Sequence, residues 1–435
     1  MIIHGNTFPI EILYLLCNLY FCPWMTLLYN TGLFFLRLGF SIAAFFHPKA
    51  SAFVKGRKNL FRELEIAFRQ HSGKLVWVHC ASLGEFEQGR PVIELLKKEN
   101  PALKILVTFF SPSGYEVRKK YALADHVFYL PWDTSQNAHK FISITNPTVA
   151  IFVKYEFWHH YSRVLHARNI PLLSICSIFR PDQMFFKRYG GFYRSILEKF
   201  SYFFVQNEVS LNLLRAIGIQ RCMMAGDTRF DRVYAIVHQG GEIPIIKSFK
   251  SDQKTMVVGS CWEEDLAVLA PFINEDKMKF IIAPHEISES FLKAIEESLH
   301  VKSIRYSAIS NTSPENYQVL IIDNIGMLSR LYRYGEYAYV GGAFGKGLHN
   351  ILEAACYGVP VFFGNNNYEK FKEAVDLINR GGAFPITDYN ELKSTFEMLA
   401  IPENFLLACD VTRAYILENL GATEKIMEYC RKLLK

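Results

Sequence analysis

Residues 340–355 read Val340-Gly341-Gly342-Ala343-Phe344-Gly345-Lys346-Gly347-Leu348-His349-Asn350-Ile351-Leu352-Glu353-Ala354-Ala355. An apolar strand runs into four glycines and then into a helix-forming stretch. Such a loop presents backbone N–H groups at a helix N-terminus, an arrangement that holds phosphate. Glu353, one turn into the expected helix, is placed to accept both hydroxyls of a nucleotide ribose. A tight turn needing glycine for geometry alone is the competing reading. The dinucleotide fingerprint G-x-G-x-x-G is not matched in register. The late position of the loop favours a nucleotide-sugar site in a second domain.

Outward from this loop, short apolar runs alternate with longer amphipathic ones. Strands are predicted at 255–259, 279–283, 318–322, 337–340 and 360–363. Helices are predicted at 263–273, 287–297, 326–334, 348–357, 368–379 and 392–399. The first half repeats the rhythm, with strands at 75–81, 105–110, 126–130, 149–153, 172–177 and 202–205. Its helices are predicted at 86–98, 112–121, 135–145, 157–168 and 208–216. Continuous apolar strands are those of buried parallel sheets, covered by helices on both faces. The fold class expected is therefore α/β, with two doubly wound Rossmann-like domains facing a cleft. The segments are 1–50, apolar; 51–230, the first domain; 231–254, a linker marked by Gly240, Gly241 and Pro244; and 255–402, the second domain. A helical tail follows over 403–435, placed to cross back to the first domain. Ligands of such sheets bind beyond the carboxyl ends of the strands.

The 435 residues are half hydrophobic and 21% charged, which supplies packed cores and argues against long disorder. A net charge of +6 is too mild for a nucleic-acid binder but suits work beside anionic lipids or phosphorylated substrates. Nine scattered cysteines without a C-x-x-C pair exclude a disulfide framework or zinc site.

Residues 25–46 are long enough to cross ~30 Å of hydrocarbon. Lys49, Lys55, Arg57 and Lys58 follow directly, which places that end in the cytoplasm. Arg37, mid-helix, requires the helix to tilt or to lie in the interface. A buried helix of a soluble domain is the alternative. Because Met25 begins the better helix, residues 1–24 read as an upstream extension.

Four further motifs follow predicted strands. In His79-Cys80-Ala81-Ser82-Leu83-Gly84-Glu85 the carboxylate of Glu85 falls at a helix mouth. It serves there as a general base, or simply as a first-turn acid stabilising its own helix. Gly259-Ser260-Cys261-Trp262 adds backbone to the phosphate cradle, or is a plain helix cap by Ser260. In Gly226-Asp227-Thr228-Arg229-Phe230-Asp231, Arg229 reaches a phosphate across the cleft, or forms a structural pair with an aspartate. Glu156, in Lys154-Tyr155-Glu156-Phe157-Trp158, positions an acceptor or is a helix-start acid. Arg180 binds an acidic group or is a solvated surface residue.

In this order the segments resemble the Kdo (3-deoxy-D-manno-octulosonic acid) transferase family. The resemblance rests on H-x-x-S-x-G-E at 79–85, E-x-W at 156–158, G-D-x-R-F-D at 226–231, D-x-x-G at 323–326 and the V-G-G-A-F…H-N-x-L-E segment at 340–355. It implies a GT-B fold and an inverting, metal-independent transfer of Kdo from CMP-Kdo to lipid A precursor, without a cofactor, at the cytoplasmic face of the inner membrane; the alternatives are a GT-B transferase using a UDP-sugar and a lipid-linked acceptor, or a non-catalytic two-domain ligand-binding protein. It implies Glu85 as base; the positions after the strands put Ser82, Gly84, Glu156 and Arg180 on the acceptor side. On the nucleotide side it implies Arg229, Gly341, Gly342, Asn350 and Glu353, and the neighbouring strand-exit positions add Gly259, Ser260, Pro284, His285, Gly326, Phe344, Gly345 and Lys346. The partners implied are CMP-Kdo, lipid A precursor and inner-membrane lipids, with no nucleic acid. Three positions depart from the family pattern. His159-His160 stands where many members have Pro-Asn, Ala283-Pro284-His285-Glu286 lacks the family's arginine, and Ala354 replaces a proline.

Overall fold

The computed structural model describes residues 10–239, 241–311 and 313–435. The chain divides into two units, one running to Thr228 and rejoined by Gly421–Lys435, the other spanning Arg229–Leu420.

The first unit opens with three helices, α1 (Ile10–Ala43), α2 (Pro48–Lys55) and α3 (Leu60–Phe68). Strands and helices then alternate: β1 (Leu75–Cys80), α4 (Leu83–Glu99), β2 (Lys104–Phe109), α5 (Pro112–Arg118), β3 (His126–Tyr129), α6 (Ser135–Thr145) and β4 (Val149–Val153). They continue as α7 (His159–Ala167), β5 (Leu172–Ser177), α8 (Gly191–Leu197), β6 (Tyr202–Val205), α9 (Glu208–Ala216) and β7 (Cys222–Met224). All strands are parallel, in the order β3-β2-β1-β4-β5-β6-β7. Strand order reverses between β1 and β4, where His79 lies beside Phe152. That is the switch point at which such sheets bind ligands.

Two helices follow, α10 (Thr228–Gln239), whose first residue ends the first unit, and α11 (Pro244–Lys250). The segment 231–254, expected as a linker, is therefore largely helical. Ile246 and Phe249 of α11 are buried in the core and fix it there. The alternation resumes with β8 (Thr255–Cys261), α12 (Glu263–Glu275), β9 (Lys279–Pro284), α13 (Glu289–Ser298), β10 (Ser303–Arg305), β11 (Val319–Ile321) and α14 (Leu328–Leu331). It ends with β12 (Tyr337–Val340), α15 (Leu352–Ala355), β13 (Val361–Gly364), α16 (Lys372–Arg380), β14 (Ala383–Ile386), α17 (Tyr389–Leu399) and α18 (Pro402–Glu418). This sheet is also wholly parallel, in the order β10-β11-β9-β8-β12-β13-β14, with its switch point between β8 and β12. The tail divides. Helix α18 packs in the second unit, whereas α19 (Ala422–Leu433) buries Ile426, Met427 and Cys430 against one face of the first sheet.

Both sheets are clad on two faces, which is why strands such as β1 and β4 are buried along their whole length. On one face of the first sheet Trp77 and Phe152 meet Phe141 and Tyr161.

The anchor expected over 25–46 differs from that reading. Helix α1 is longer, and no helix among the described residues is long and apolar enough to cross a membrane. The expectation for residues 1–24 falls partly outside the described residues. One side of α1 is packed: Tyr29 donates to Asp133 (2.6 Å), Asn30 Oδ1 lies 2.7 Å from His160 Nε2, and Phe40 stacks on Phe53 at 4.3 Å. The other side exposes Trp24, Leu27, Leu28, Phe34, Phe35 and Leu38, and beyond the helix Phe45 and Phe46 are 85% and 80% exposed.

Candidate active site

In the first unit the chain leaves β1 through Ala81 and Ser82 into α4. Ser82 is the extended residue before the helix, and its hydroxyl donates to the carboxylate of Glu85 in the first turn. Gly84 beside it is exposed. Glu85 therefore sits at the switch point with one oxygen held by a neighbour three residues away.

Behind it lies a buried polar chain. Trp77 Nε1 donates to Thr108 Oγ1 (2.8 Å), and Thr108 Oγ1 lies 2.9 Å from His79 Nδ1. His79 Nε2 lies 3.0 Å from Glu156 Oε2, which also accepts from Trp158 Nε1 (2.7 Å). Nε2–H donates to the carboxylate, while Nδ1 faces both the hydroxyl and, at 3.1 Å, the carbonyl oxygen of Thr108. Glu156 is only 9% exposed. The structure thus puts Glu156 inside a network joining β1, β2 and the exit of β4, with its carboxylate engaged by ring N–H groups.

The open rim is made by other residues. Lys154 takes a positive φ of 70° at the end of β4, a conformation unfavourable for a side-chain-bearing residue and concentrated at functional sites. Its ammonium lies 5.4 Å from the ring of Tyr155, and the exposed Arg180 guanidinium lies 6.0 Å from the same ring. Burial pushes the Tyr155 phenol up, the charge of Glu85 adds to this, and Arg180 opposes it. Glu85, Tyr155 and Arg180 are therefore electrostatic neighbours. Sequence reading named Glu85 and Arg180 but passed over Lys154 and Tyr155, whose signal was a cation and a phenol just beyond a central strand.

The junction motif divides. Asp227 accepts from Gln88 Nε2 (2.8 Å) and Thr228 donates to Gln88 O (2.5 Å), tying 227–228 to α4. Arg229 belongs to the second unit, where its guanidinium pairs with Glu373 of α16 at 3.1 Å.

In the second unit the glycine loop follows β12 at the switch point. Asp265, in the first turn of α12, organises it: Oδ2 accepts from the N–H groups of Trp262 and Gly342 (both 2.9 Å), and Oδ1 from Tyr339 (2.8 Å). A Cβ on Gly341 would collide with Ser260 O and Asp265, so glycine is needed for close approach. Gly342 has φ +95°, and a Cβ there would lie 2.6 Å from Gly347 O.

Two expectations change here. The helix predicted over 348–357 is only α15, four residues long, with Glu353 in its first turn. Many loop N–H groups also turn inward: Gly341 to Gly259 O, Gly345 and Gly347 to Gly342 O, and His349 to Gly341 O. The glycines serve the compaction of the loop, and side chains make its surroundings. Asn350 Nδ2 donates to Glu353 Oε1 (3.2 Å). Trp262 stacks on His285 (4.4 Å), which stacks on His349 (4.3 Å), while the Lys346 ammonium lies 3.9 Å over Trp262. Trp262 Nε1 donates to His349 Nε2 (3.0 Å), and burial lowers His349 to about 4, so that ring is neutral near pH 7. Phe344 closes over Gly364. Gly259 and Ser260 sit at an irregularity in the β8–β9 pairing, Ser260 with φ +51°. Pro284 ends β9, and Gly326 (φ +95°) lies in the loop after β11 with open space around it. Asp265 and Trp262 were missed as organisers, although an acid three residues after a helix start is a recognisable signal. Among the described residues no cluster of His, Cys, Asp and Glu is arranged to hold a metal ion.

The family model of 3-deoxy-D-manno-octulosonic-acid transferase (kdotransferase) matches residues 56–232, the stretch holding His79, Glu85, Glu156 and Asp227. A 3-deoxy-D-manno-octulosonic acid transferase of Rickettsia prowazekii is 26% identical over 390 residues, covering 87% of this chain and 83% of that one. Its counterpart in Aquifex aeolicus is 26% identical over 371 residues, covering 82% and 94%. The chain is a glycosyltransferase related to the Kdo transferases. Solved structures agree on the fold. UDP-GlcNAc 2-epimerase of Neisseria meningitidis superposes with a TM-score of 0.56 at 16% identity, covering 83% of this chain and all of that one. MurG of Acinetobacter baumannii gives 0.53 at 11%, with the same coverage. The architecture is thus GT-B, two parallel-sheet α/β domains. The buried His79–Glu156–Trp158 group of this Kdo transferase relative falls wholly within the matched stretch.

Proposed function

We propose that this chain moves Kdo from CMP-Kdo to lipid A precursor, with inversion and without a metal, at the cytoplasmic face of the inner membrane. The observation that carries the reading is Glu85, held by Ser82 at the switch point of the domain that matches the transferase family. An acceptor hydroxyl approaching this carboxylate gives up its proton to it as the new C–O bond forms. The bond between the Kdo anomeric carbon and the CMP phosphate breaks with its electrons on the phosphate, already a good leaving group. Attack from the face opposite CMP inverts the centre. Lys154 and Arg180 supply positive charge for an acidic sugar or a phosphorylated acceptor. Lys346 lends positive charge on the nucleotide side, and Asn350 with Glu353 suits a ribose. The exposed apolar face of α1 and the cations after it favour a membrane address.

The test is a radiolabelled-Kdo transfer assay with a lipid A precursor. Glu85→Gln should lower kcat by roughly 10²–10⁴ while CMP affinity stays within about threefold, a change smaller than one hydrogen bond. Activity should survive EDTA, and the product should carry the inverted anomeric configuration. Undiminished turnover in Glu85→Gln, or release of UDP in place of CMP in a donor screen, would defeat the reading.

A further inference from the structure

Two cavities flank the C-terminal half of α1, both inside the first unit. One, of about 590 Å³, is walled chiefly by apolar side chains, including Phe35, Leu36, Phe40, Ala43, Phe53 and Phe110. The other, of about 720 Å³, is bordered by Arg37, Lys55 and Lys58. Both volumes lie in the ~300–1,000 Å³ range of small-molecule sites.

The apolar groove is not an isolated hollow. Its far wall is Phe110, Ser111 and Pro112 at the exit of β2. Phe110 N donates to Cys80 O (3.3 Å) and Ser111 N to Ala81 O (2.7 Å). A Cβ on Gly114, in the following turn, would lie 3.0 Å from the carbonyl carbon of Ser82. The groove therefore runs from the exposed face of α1 to the residues next to Ser82 and Glu85.

Charge around it is one-sided. Among the described residues Arg37, Lys49, Lys55 and Lys58 form no ion pair, and all four are exposed. Arg57, in the same run, differs: its guanidinium donates to Leu130 O, Phe53 O and Phe110 O and lies 3.8 Å from the Phe53 ring. The chain uses one cation to staple α2 to the strand exits and leaves the others facing out. Arg37, costly in a bilayer-spanning helix, borders the basic cavity instead.

We infer that the α1–α2 groove holds an acyl chain of a phosphorylated glycolipid acceptor, and that the cations around it take the lipid's phosphate. The inference rests on the acceptor class proposed above and assigns it a seat. An apolar chain in this groove leaves its sugar head beside Ser82 and Glu85. The unpaired cations complement a phosphate, which favours a phosphorylated lipid over a neutral one.

Gly39 gives the test. It lines the groove, and a Cβ built there meets nothing within 4 Å. The backbone at Gly39 therefore accepts a side chain, and Gly39→Phe places a ring at the groove and removes a helix-weakening glycine. The probes are a tetra-acylated glucosamine disaccharide bisphosphate and the same compound fully deacylated. The ratio of kcat/KM for acylated to deacylated acceptor should fall about tenfold in Gly39→Phe, the equivalent of roughly two buried methylenes. An unchanged ratio overturns the inference. Direct binding of the radiolabelled acylated probe in detergent, which needs no turnover, should weaken by the same factor. If the wild type binds that probe and Gly39→Phe does not, the groove is occupied as inferred even where no Kdo is transferred, and only the reaction assignment fails. Vesicles of phosphatidylglycerol separate the lipid sources. Equal loss of vesicle binding and acceptor binding would make the groove a seat for bulk membrane lipid and overturn the assignment.

Discussion

The hydroxyl of Tyr29 donates to the carboxylate of Asp133 at 2.6 Å across 104 residues, and this bond fastens α1 to the first domain. Asp133 is 1% exposed and also accepts from the backbone N–H groups of His160 (3.0 Å) and Tyr161 (2.9 Å). Burial raises its pKa to about 6, and the hydrogen bonds hold it from rising further. An apolar helix with one face exposed is thus held to the protein by a polar anchor on the other.

Tyr29→Phe tests that anchor. It removes one donor from a buried acid and should cost about 1–3 kcal/mol. The raised pKa sets the pH sign. The contribution of Asp133 to stability is fully present below the unfolded carboxyl pKa of about 3.9 and is lost as pH rises through about 6. Losing Tyr29 hurts the ionised form most. Urea unfolding should show a larger deficit at pH 8 than at pH 5, and an equal deficit at both would refute the anchor.

The histidines beside this bond titrate the opposite way. His159 and His160 are lowered to about 4, chiefly by burial. Depressed bases contribute stability that is present above their unfolded pKa of about 6.5 and lost as pH falls through about 4. His160→Asn removes the titrating ring and keeps a side chain able to hydrogen-bond. It should flatten the fall in stability between pH 6.5 and 4 by at most about 1.4 kcal/mol per pH unit, one proton's worth. Denaturant titrations at three pH values would read it, and an unaltered slope would show that His160 carries none of the acid sensitivity.

Much of this fold was readable because central strands must be apolar on both faces. Strands β4, β5, β6 and β12 match their predicted spans residue for residue. The strands that escaped are β7, β10 and β14, each at the edge of its sheet and only three or four residues long. Edge strands pack on one neighbour and carry partly exposed residues, so their apolar signal is weak. The site divided in the same way. Local motifs such as Ser82–Glu85 were legible from spacing. The Arg229–Glu373 pair, 144 residues apart, and Asp265 beneath Gly342, 77 residues apart, depend on topology that spacing does not encode.

The His79–Glu156 contact joins β1 to the exit of β4. With Trp158 it engages one oxygen of a buried carboxylate, and leaving each of the two donors without that acceptor costs about 1–3 kcal/mol. Glu156→Ala should therefore destabilise the first domain by that order, measured by chemical unfolding. Glu156→Gln keeps the shape and an acceptor oxygen and should recover at least half of the loss. If Glu156→Ala instead left stability intact and raised only the KM for acceptor, Glu156 would be a substrate contact and not a support for the switch point.

Gly342 holds the glycine loop in a left-handed turn. Its positive φ and the 2.6 Å approach a Cβ would make to Gly347 O mean that Gly342→Ala must displace the loop. The backbone strain alone costs of order 1–3 kcal/mol. The displacement would also pull the Gly342 N–H from Asp265 and push on the His349 ring, which stacks with His285. CMP binding measured by calorimetry should weaken by about tenfold or more, the equivalent of 1.4 kcal/mol. Gly326 is the control: it too has a positive φ, but a Cβ there meets nothing within 4 Å. Gly326→Ala should show the backbone cost without the loop displacement, so its CMP affinity should change less. Equal losses in the two variants would mean that strain, and not the Asp265-held shape of the glycine loop, governs nucleotide affinity.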